Sequence, residues 1–444
     1  MGVSKLTRLP PVTAIVVLTA GCALYSDVAI SPLIVVPMQI ERGADIVQMV
    51  QRSDYLRAVE MAPLIDAKQR KSATELAALG AAELAAARYD PARRHLRAAL
   101  DLNLLHSAYA NVAWNLSQLE YLNNNFESSR EWAELATEHG LLIRPWFVEL
   151  LTALSRIEAY KFSGASSDRL PLHFGSPDVP TIEARVNGAP RVKAVIDSGA
   201  VMTIISEELA SALKVHSLGD SVGTFYGLLG EPIRVRFGIL DSVALGAVVV
   251  GNIPVAIMPD DKMSFVGGGD RRPFKIDLLL GATLLKEFRL EIDYGRRSVT
   301  FTHLSPADRV PGPDQNLFLF NFRPYVRGTV NRHGWFLFIL DTGSEITYLN
   351  GARLPSLPIQ FSAPKMHGAL LQGLGGSKKH GDKIENVEIG VDRWAGQFKT
   401  IPTYDTEEDH AVGIVGQNLL SKFRVVIDFG RMRVDLVRER LLPL

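Results

Sequence analysis

Between residues 46 and about 165, apolar positions recur every three to four residues in stretches rich in Ala, Leu, Glu and Arg, with few glycines. That period predicts amphipathic helices. The pattern changes near Ser163–Ser167, where Gly and Ser cluster. Beyond it, short Val/Ile/Leu/Phe-rich runs alternate with Gly and Pro turns, which predicts many short strands. A second break at Ser305–Asp314 contains Pro306, Pro311 and Pro313 and separates two strand-rich segments of similar length. Residues 23–45 mix Pro, Ser and apolar residues without a period and read as a tether. The pattern thus predicts an α-helical region at 46–165 and two β segments at 166–305 and 316–440.

The β segments repeat each other. Gly281–Phe301 and Gly416–Leu436 align without a gap and are identical at 10 of 21 positions. Ahead of each block an apolar run ends in Asp-Ser/Thr-Gly: Ala194–Gly199 in the first segment and Phe338–Gly343 in the second. A glycine-rich turn lies between, Tyr226–Gly230 and then Gln372–Gly376. Three features in one order predict one fold used twice. The helical region also repeats. Ala78-Leu79-Gly80 leads to Ala92, Leu96 and Leu100, and Trp114 leads to Phe126, Trp132, Ala133 and Ala136. These stretches resemble degenerate tetratricopeptide hairpins, which implies a stacked helical domain that binds a protein partner or serves as a spacer.

An apolar strand that runs into Asp-(Ser/Thr)-Gly sets a carboxylate at the mouth of a turn, where glycine permits the backbone geometry. The hydroxyl of Ser198 or Thr342 can hydrogen-bond backbone across the junction. Two copies related by a pseudo-twofold axis bring the carboxylates of Asp197 and Asp341 face to face. Like charges about 3 Å apart resist joint ionisation, so such a pair holds one proton. The ionised member can take a proton from water while the protonated member polarises a carbonyl, with no covalent intermediate.

On these motifs, residues 166–440 resemble the retropepsin-like and pepsin-like aspartic proteases. Asp197–Ala200 and Asp341–Ser344 match that family's active-site motif, and Leu279-Leu280-Gly281 and Ile414-Val415-Gly416 match its later hydrophobic-hydrophobic-Gly motif. The resemblance implies an all-β bilobal fold of two barrel lobes, with an extended peptide bound between them. It implies Asp197 and Asp341 as catalytic, with Ser198, Gly199, Thr342 and Gly343 supporting the turns. Tyr226, Gly227 and Gly230 look like a pepsin-type flap, and Gly373, Gly375 and Gly376 look like a retroviral one. Neither metal nor cofactor is implied, and two lobes in one chain imply a monomeric active unit. The pattern departs from the family in its smaller lobes, in a second flap without tyrosine, and in the unassigned insertion Gly267–Arg272. Asp293 and Asp428, in Asp-Tyr-Gly and Asp-Phe-Gly, read as turn residues. A protease fold kept only for binding is the alternative, but it would have no chemical need for both carboxylates.

Composition narrows the rest. Among 444 residues, 48 basic and 48 acidic side chains cancel, so no nucleic-acid partner is implied. H-E-x-x-H and Walker A motifs are absent from the sequence. The ten histidines are scattered, and His380 and His410 read as surface residues beside loops. Cys22 is the sole cysteine, which excludes an intramolecular disulfide. It follows Lys5, Arg8, the short apolar run Val12–Ala20 and Gly21, and so resembles the lipidated cysteine of a bacterial lipoprotein signal covering residues 1–22. That implies a lipid anchor in the cell envelope, facing the periplasm. Ala23 after the cysteine favours the outer membrane.

Overall fold

The computed structural model describes residues 15–16, 20–21, 28–33 and 45–438, apart from 53, 103, 176–177, 228–230, 267–272, 358, 362–364, 373–377 and 407–409. Seven helices come first: α1 (Ile46–Gln51), α2 (Tyr55–Asp66), α3 (Ala73–Ala85), α4 (Tyr89–Leu100), α5 (His106–Leu122), α6 (Phe126–Glu138) and α7 (Pro145–Leu154). A capping box starts α3. Ser72 Oγ accepts the Glu75 N–H at 3.2 Å, and the Glu75 carboxylate accepts the Ser72 N–H at 2.9 Å. Pro145 opens α7, where no intrahelical donor is needed. None of the described helices is long and apolar enough to cross a membrane.

Two hairpins, α3–α4 and α5–α6, turn in the same way. The Arg88 N–H donates to Glu83 O, and the Asn125 N–H donates to Glu120 O, both at 2.9 Å. Ala87 and Asn124 both adopt positive φ, at 54° and 60°. The glutamates at these turns are buried and partnered. The Glu83 carboxylate meets His95 Nδ1 at 2.7 Å, and Arg93 Nε donates to Glu120 at 2.8 Å. Gly80 lets α4 close on α3, since a Cβ there would lie 2.5 Å from Leu96 Cγ.

The first β lobe contains β1 (Thr181–Val186), β2 (Ala189–Ile196), β3 (Thr203–Ser206), β4 (His216–Gly227), β5 (Pro232–Leu245), β6 (Val248–Met258) and β7 (Leu278–Leu280). β5 pairs with β4, β6 and β1, so the sheet curls toward a barrel. After it come β8 (Phe288–Asp293) and β9 (Ser298–His303). The second lobe repeats the plan with β10 (Leu317–Phe320), β11 (Arg323–Val330), β12 (His333–Leu340), β13 (Tyr348–Asn350), β14 (Lys365–Gln372), β15 (Lys378–Val391), β16 (Trp394–Tyr404) and β17 (Gly413–Val415), followed by β18 (Arg424–Asp428) and β19 (Arg433–Val437). Here β11 bonds to β10, β12 and β15.

The two homologous blocks join each other. β8 lies antiparallel to β18, with Leu290 opposite Ile427, so β19, β18, β8, β9 and Ser167–Pro171 form one sheet shared by both lobes. Asp293 and Asp428 serve the hairpin turns of this sheet. Asp293 Oδ1 accepts the Arg296 N–H at 2.8 Å, and Asp428 Oδ1 accepts the Gly430 and Arg431 N–H groups at 3.0 and 2.9 Å. Residues 29–32, expected within a tether, instead form a strand against Trp394–Gln397 of β16.

The helices share their cores with both lobes. Ile46, Leu56 and Leu79 pack with Phe318, Leu337 and Ile339 of the second lobe. Gln315 Nε2 donates to Ala86 O at 3.0 Å in a buried contact. At the α5–α6 turn, Asn124 reaches the buried pair Lys286–Glu287, donating to Glu287 and accepting from Lys286 at 3.0 Å each. Burial pushes the Glu287 carboxyl up, but Lys286 and Arg309 outweigh it and leave it below the usual range.

Candidate active site

Each lobe delivers its aspartate in the same way. β2 runs parallel to β7 in the first lobe, and β12 runs parallel to β17 in the second. The ladder continues one residue further, as the Asp197 N–H donates to Leu280 O and the Asp341 N–H donates to Val415 O, both at 3.1 Å. The hydrophobic-hydrophobic-Gly motif thus forms the strand beneath the Asp turn. Its glycine is required because the returning chain passes over it. A Cβ on Gly281 would lie 2.2 Å from Met202 O, and one on Gly416 would lie 2.4 Å from Ile346 O. The short helices that follow, Ala282–Leu285 and Gln417–Leu420, hold the turns from below. The Ala282 N–H donates to Ala200 O at 2.7 Å, and the Gln417 N–H donates to Ser344 O at 2.8 Å.

Ser198 and Thr342 join the lobes rather than their own turns. Thr342 Oγ1 donates to Ile196 O at 2.7 Å and accepts the Ser198 N–H at 3.0 Å. Ser198 Oγ donates to Leu340 O at 2.6 Å and accepts the Thr342 N–H at 3.1 Å. All four bonds are buried. The glycines bring the carboxyls close. A Cβ on Gly199 would lie 2.4 Å from Asp341 Cγ, and one on Gly343 would lie 2.4 Å from Asp197 Cγ. Each turn therefore presses its backbone against the opposite carboxyl, which fixes the two aspartates as neighbours.

Both carboxyls are fully buried. Asp197 Oδ1 accepts the Gly199 and Ala200 N–H groups at 2.9 and 3.1 Å, and Asp341 Oδ1 accepts the Gly343 N–H at 2.8 Å. The remaining oxygens, Asp197 Oδ2 and Asp341 Oδ2, find no donor among the described residues. Those two oxygens are thus left for a proton shared between the carboxyls or for a bound water or substrate group. Burial pushes Asp197 up to about 7, partly offset by its bond to Asp341 and by the two amides. Burial, the Asp197 charge and the bond to Asp197 together push Asp341 well above the usual carboxyl range.

Arg323 was not legible as a site residue. It is 2% exposed at the start of β11, and its positive field pulls both carboxyls downward. It lies eighteen residues before Asp341, where the first segment has Val179 eighteen before Asp197. The repeat that located the dyad therefore could not point to it.

The flap residues are divided. Tyr226 ends β4 opposite Pro232 of β5 and is half-buried, and Gly227 follows it in the strand. Gly230, Gly373, Gly375 and Gly376 lie outside the described residues, as does Cys22. The arms of both hairpins are described and offer strand edges. Ile15–Val16 pairs parallel with Tyr226–Gly227, and Ala20–Gly21 pairs antiparallel with Leu371–Gln372. His410 is half-buried against Tyr55 and Phe320 rather than free on the surface.

Residues 182–284 match the family model described as aspartyl protease. No curated protein matches the chain. Among solved structures it is similar to a retropepsin-like aspartic protease from Rickettsia conorii, at 21% identity over 32% of this chain and 96% of that one, with a TM-score of 0.21. It is also similar to an aspartic proteinase from Irpex lacteus, at 10% identity over 62% of this chain and 98% of that one, with a TM-score of 0.37. Residues 182–284 thus match the aspartyl protease family model, and the chain repeats the strand plan of that segment in a second lobe, behind a helical N-terminal region.

Proposed function

We propose that the protein is an aspartic endopeptidase whose water is activated by Asp197 and Asp341 together. The observation that carries this reading is the pair of buried carboxyls, each pressed by the opposite glycine, with one oxygen of each left without a donor among the described residues. In this reading Asp341 holds the shared proton and Asp197 is the base. Water between them loses a proton to Asp197 as its oxygen bonds to the scissile carbonyl carbon. The Asp341 proton moves to the carbonyl oxygen. In the second step the C–N bond breaks, the amine takes the proton from Asp197, and the carbonyl re-forms as its hydroxyl proton returns to Asp341. Atoms and charges balance, and the dyad ends as it began.

The strand edges at Tyr226–Gly227 and Leu371–Gln372 favour an extended peptide as substrate, because each already takes a short strand of the chain's own N-terminal segment. We place the protein in the bacterial cell envelope, held by lipid on Cys22. Palmitate labelling that survives Cys22→Ser would remove that anchor. The catalytic reading predicts that Asp197→Asn and Asp341→Asn each abolish peptide hydrolysis while leaving the fold intact. Full turnover by either variant would refute it.

A further inference from the structure

The helical region does more than sit beside the lobes. Two adjacent residues at the start of α7 reach in different directions. Trp146 stacks on Phe237 of β5, with centroids 5.5 Å apart and planes at 22°, and lies 6.2 Å from Phe225 of β4. Gly223 of β4 makes room for this contact, since a Cβ there would lie 2.6 Å from Phe237 Cζ and 3.4 Å from Trp146 Cδ2. The indole N–H finds no partner among the described residues, so ring packing holds Trp146 in place. β4 and β5 are the two arms of the first-lobe flap hairpin.

Phe147 points to the other lobe. Its ring lies 6.3 Å from Phe322, and Tyr121 of α5 lies 4.6 Å from the same ring. Asn321 and Phe322, at φ of 45° and 64°, make the two-residue turn between β10 and β11. Arg323 follows at once. On the other side of the turn, Tyr55 of α2 packs 4.4 Å from Phe320. The hairpin that carries Arg323, whose positive field reaches the dyad, is therefore gripped at its tip and flank by helices.

Resting on the protease reading above, we propose that the helical region is a clamp on both lobes, with Trp146 as the positioning residue for the first-lobe flap and Phe147 as the positioning residue for the Arg323 hairpin. Neither touches the reacting atoms, and each acts through the element it holds. Their effects differ for that reason. Loosening the flap arm weakens the hold on an extended peptide and leaves the dyad alone. Loosening the Arg323 hairpin withdraws a positive charge that acts on both carboxyls, the charged groups that bear on the dyad among the described residues being Asp197, Asp341 and Arg323. A lost cation disfavours the ionised forms, so both limbs of the pH–rate profile move to higher pH.

The test uses the full chain and its Trp146→Ala, Trp146→Phe, Phe147→Ala and Phe147→Leu variants. Hydrogen–deuterium exchange is read at 216–245 and 317–330, beside hydrolysis of a mixed decapeptide library. Trp146→Ala should speed exchange at 216–245 at least about tenfold, the order expected from losing the aromatic pairing alone. It should raise KM with little change in kcat or in the pH profile, and Trp146→Phe should restore both. Phe147→Ala should speed exchange at 317–330 and shift the pH profile upward, with Phe147→Leu intermediate and available should the alanine variant not fold. Unchanged exchange at 216–245 in folded Trp146→Ala would overturn the proposal, as would an equal rise throughout the first lobe. Exchange needs no turnover. A parent protein that cleaves nothing, with the predicted exchange pattern, would therefore sink the protease reading and leave the clamp standing.

Discussion

Thr342→Val removes one hydroxyl from the junction between the lobes without changing the shape of the side chain. Thr342 is fully buried, and its Oγ1 serves Ile196 O and the Ser198 N–H, both on the opposite turn. The substitution leaves those two buried groups without a partner. Each costs about 1–3 kcal/mol, so the local opening free energy of the two Asp turns should fall by about 2–6 kcal/mol. Peptide-resolved hydrogen exchange over 196–200 and 340–344 reads this directly, and the fall corresponds to exchange roughly 30-fold to 20,000-fold faster. Thr342→Ser keeps the hydroxyl and loses only a methyl, so it should exchange nearly as the parent does. Ser198→Ala should act as the mirror image, since its hydroxyl serves Leu340 O and the Thr342 N–H. Exchange in Thr342→Val within about threefold of the parent, less than 1 kcal/mol, would refute the view that these hydroxyls tie the lobes together.

The raised carboxyls predict a pH-dependent stability. Their protonated forms are favoured in the fold, so this contribution is fully present below the ordinary carboxyl range and is lost as pH rises through the raised range of the pair, about 7 for Asp197. Asp341→Asn relieves one of the two, so the variant should melt higher than the parent at pH 8 and show a flatter dependence of Tm on pH. Parallel Tm–pH curves would contradict the assignment. Gly199→Ala inserts a methyl about where Asp341 now lies, with 2.4 Å to Cγ. It should cost about 1–3 kcal/mol by overpacking and abolish hydrolysis, as read by thermal melting and peptide assay. Wild-type stability in that variant would mean that the two turns are further apart than described.

The duplicated plan was legible because its chemistry is local. An apolar strand, Asp-Ser/Thr-Gly and a later hydrophobic-hydrophobic-Gly are short motifs whose glycines answer to close backbone contacts at Gly281 and Gly416. The face-to-face carboxyls followed from symmetry alone. What stayed hidden was choice of partner. Nothing in Phe288–Asp293 marks Arg424–Asp428 of the other lobe as its neighbour, because both strands read as buried apolar runs. Ala29–Pro32 carries too weak an alternation to be told from a tether, and it becomes a strand only against β16. Trp146, Phe147 and Tyr55 read as ordinary helix-core aromatics, yet each packs on a β lobe. Arg323 was missed because it breaks the internal symmetry that located everything else.

The account stands or falls on peptide hydrolysis by the paired aspartates. The full chain, purified, would be incubated with a diverse peptide pool from pH 3 to 9, beside Asp341→Asn and beside a statine-type transition-state inhibitor. The account predicts cleavage with a maximum nearer neutral than strongly acidic pH, since burial lifts Asp197 to about 7, and loss of that cleavage in both controls. Cleavage that persists in Asp341→Asn, or a folded protein that cleaves nothing across the range, would contradict it.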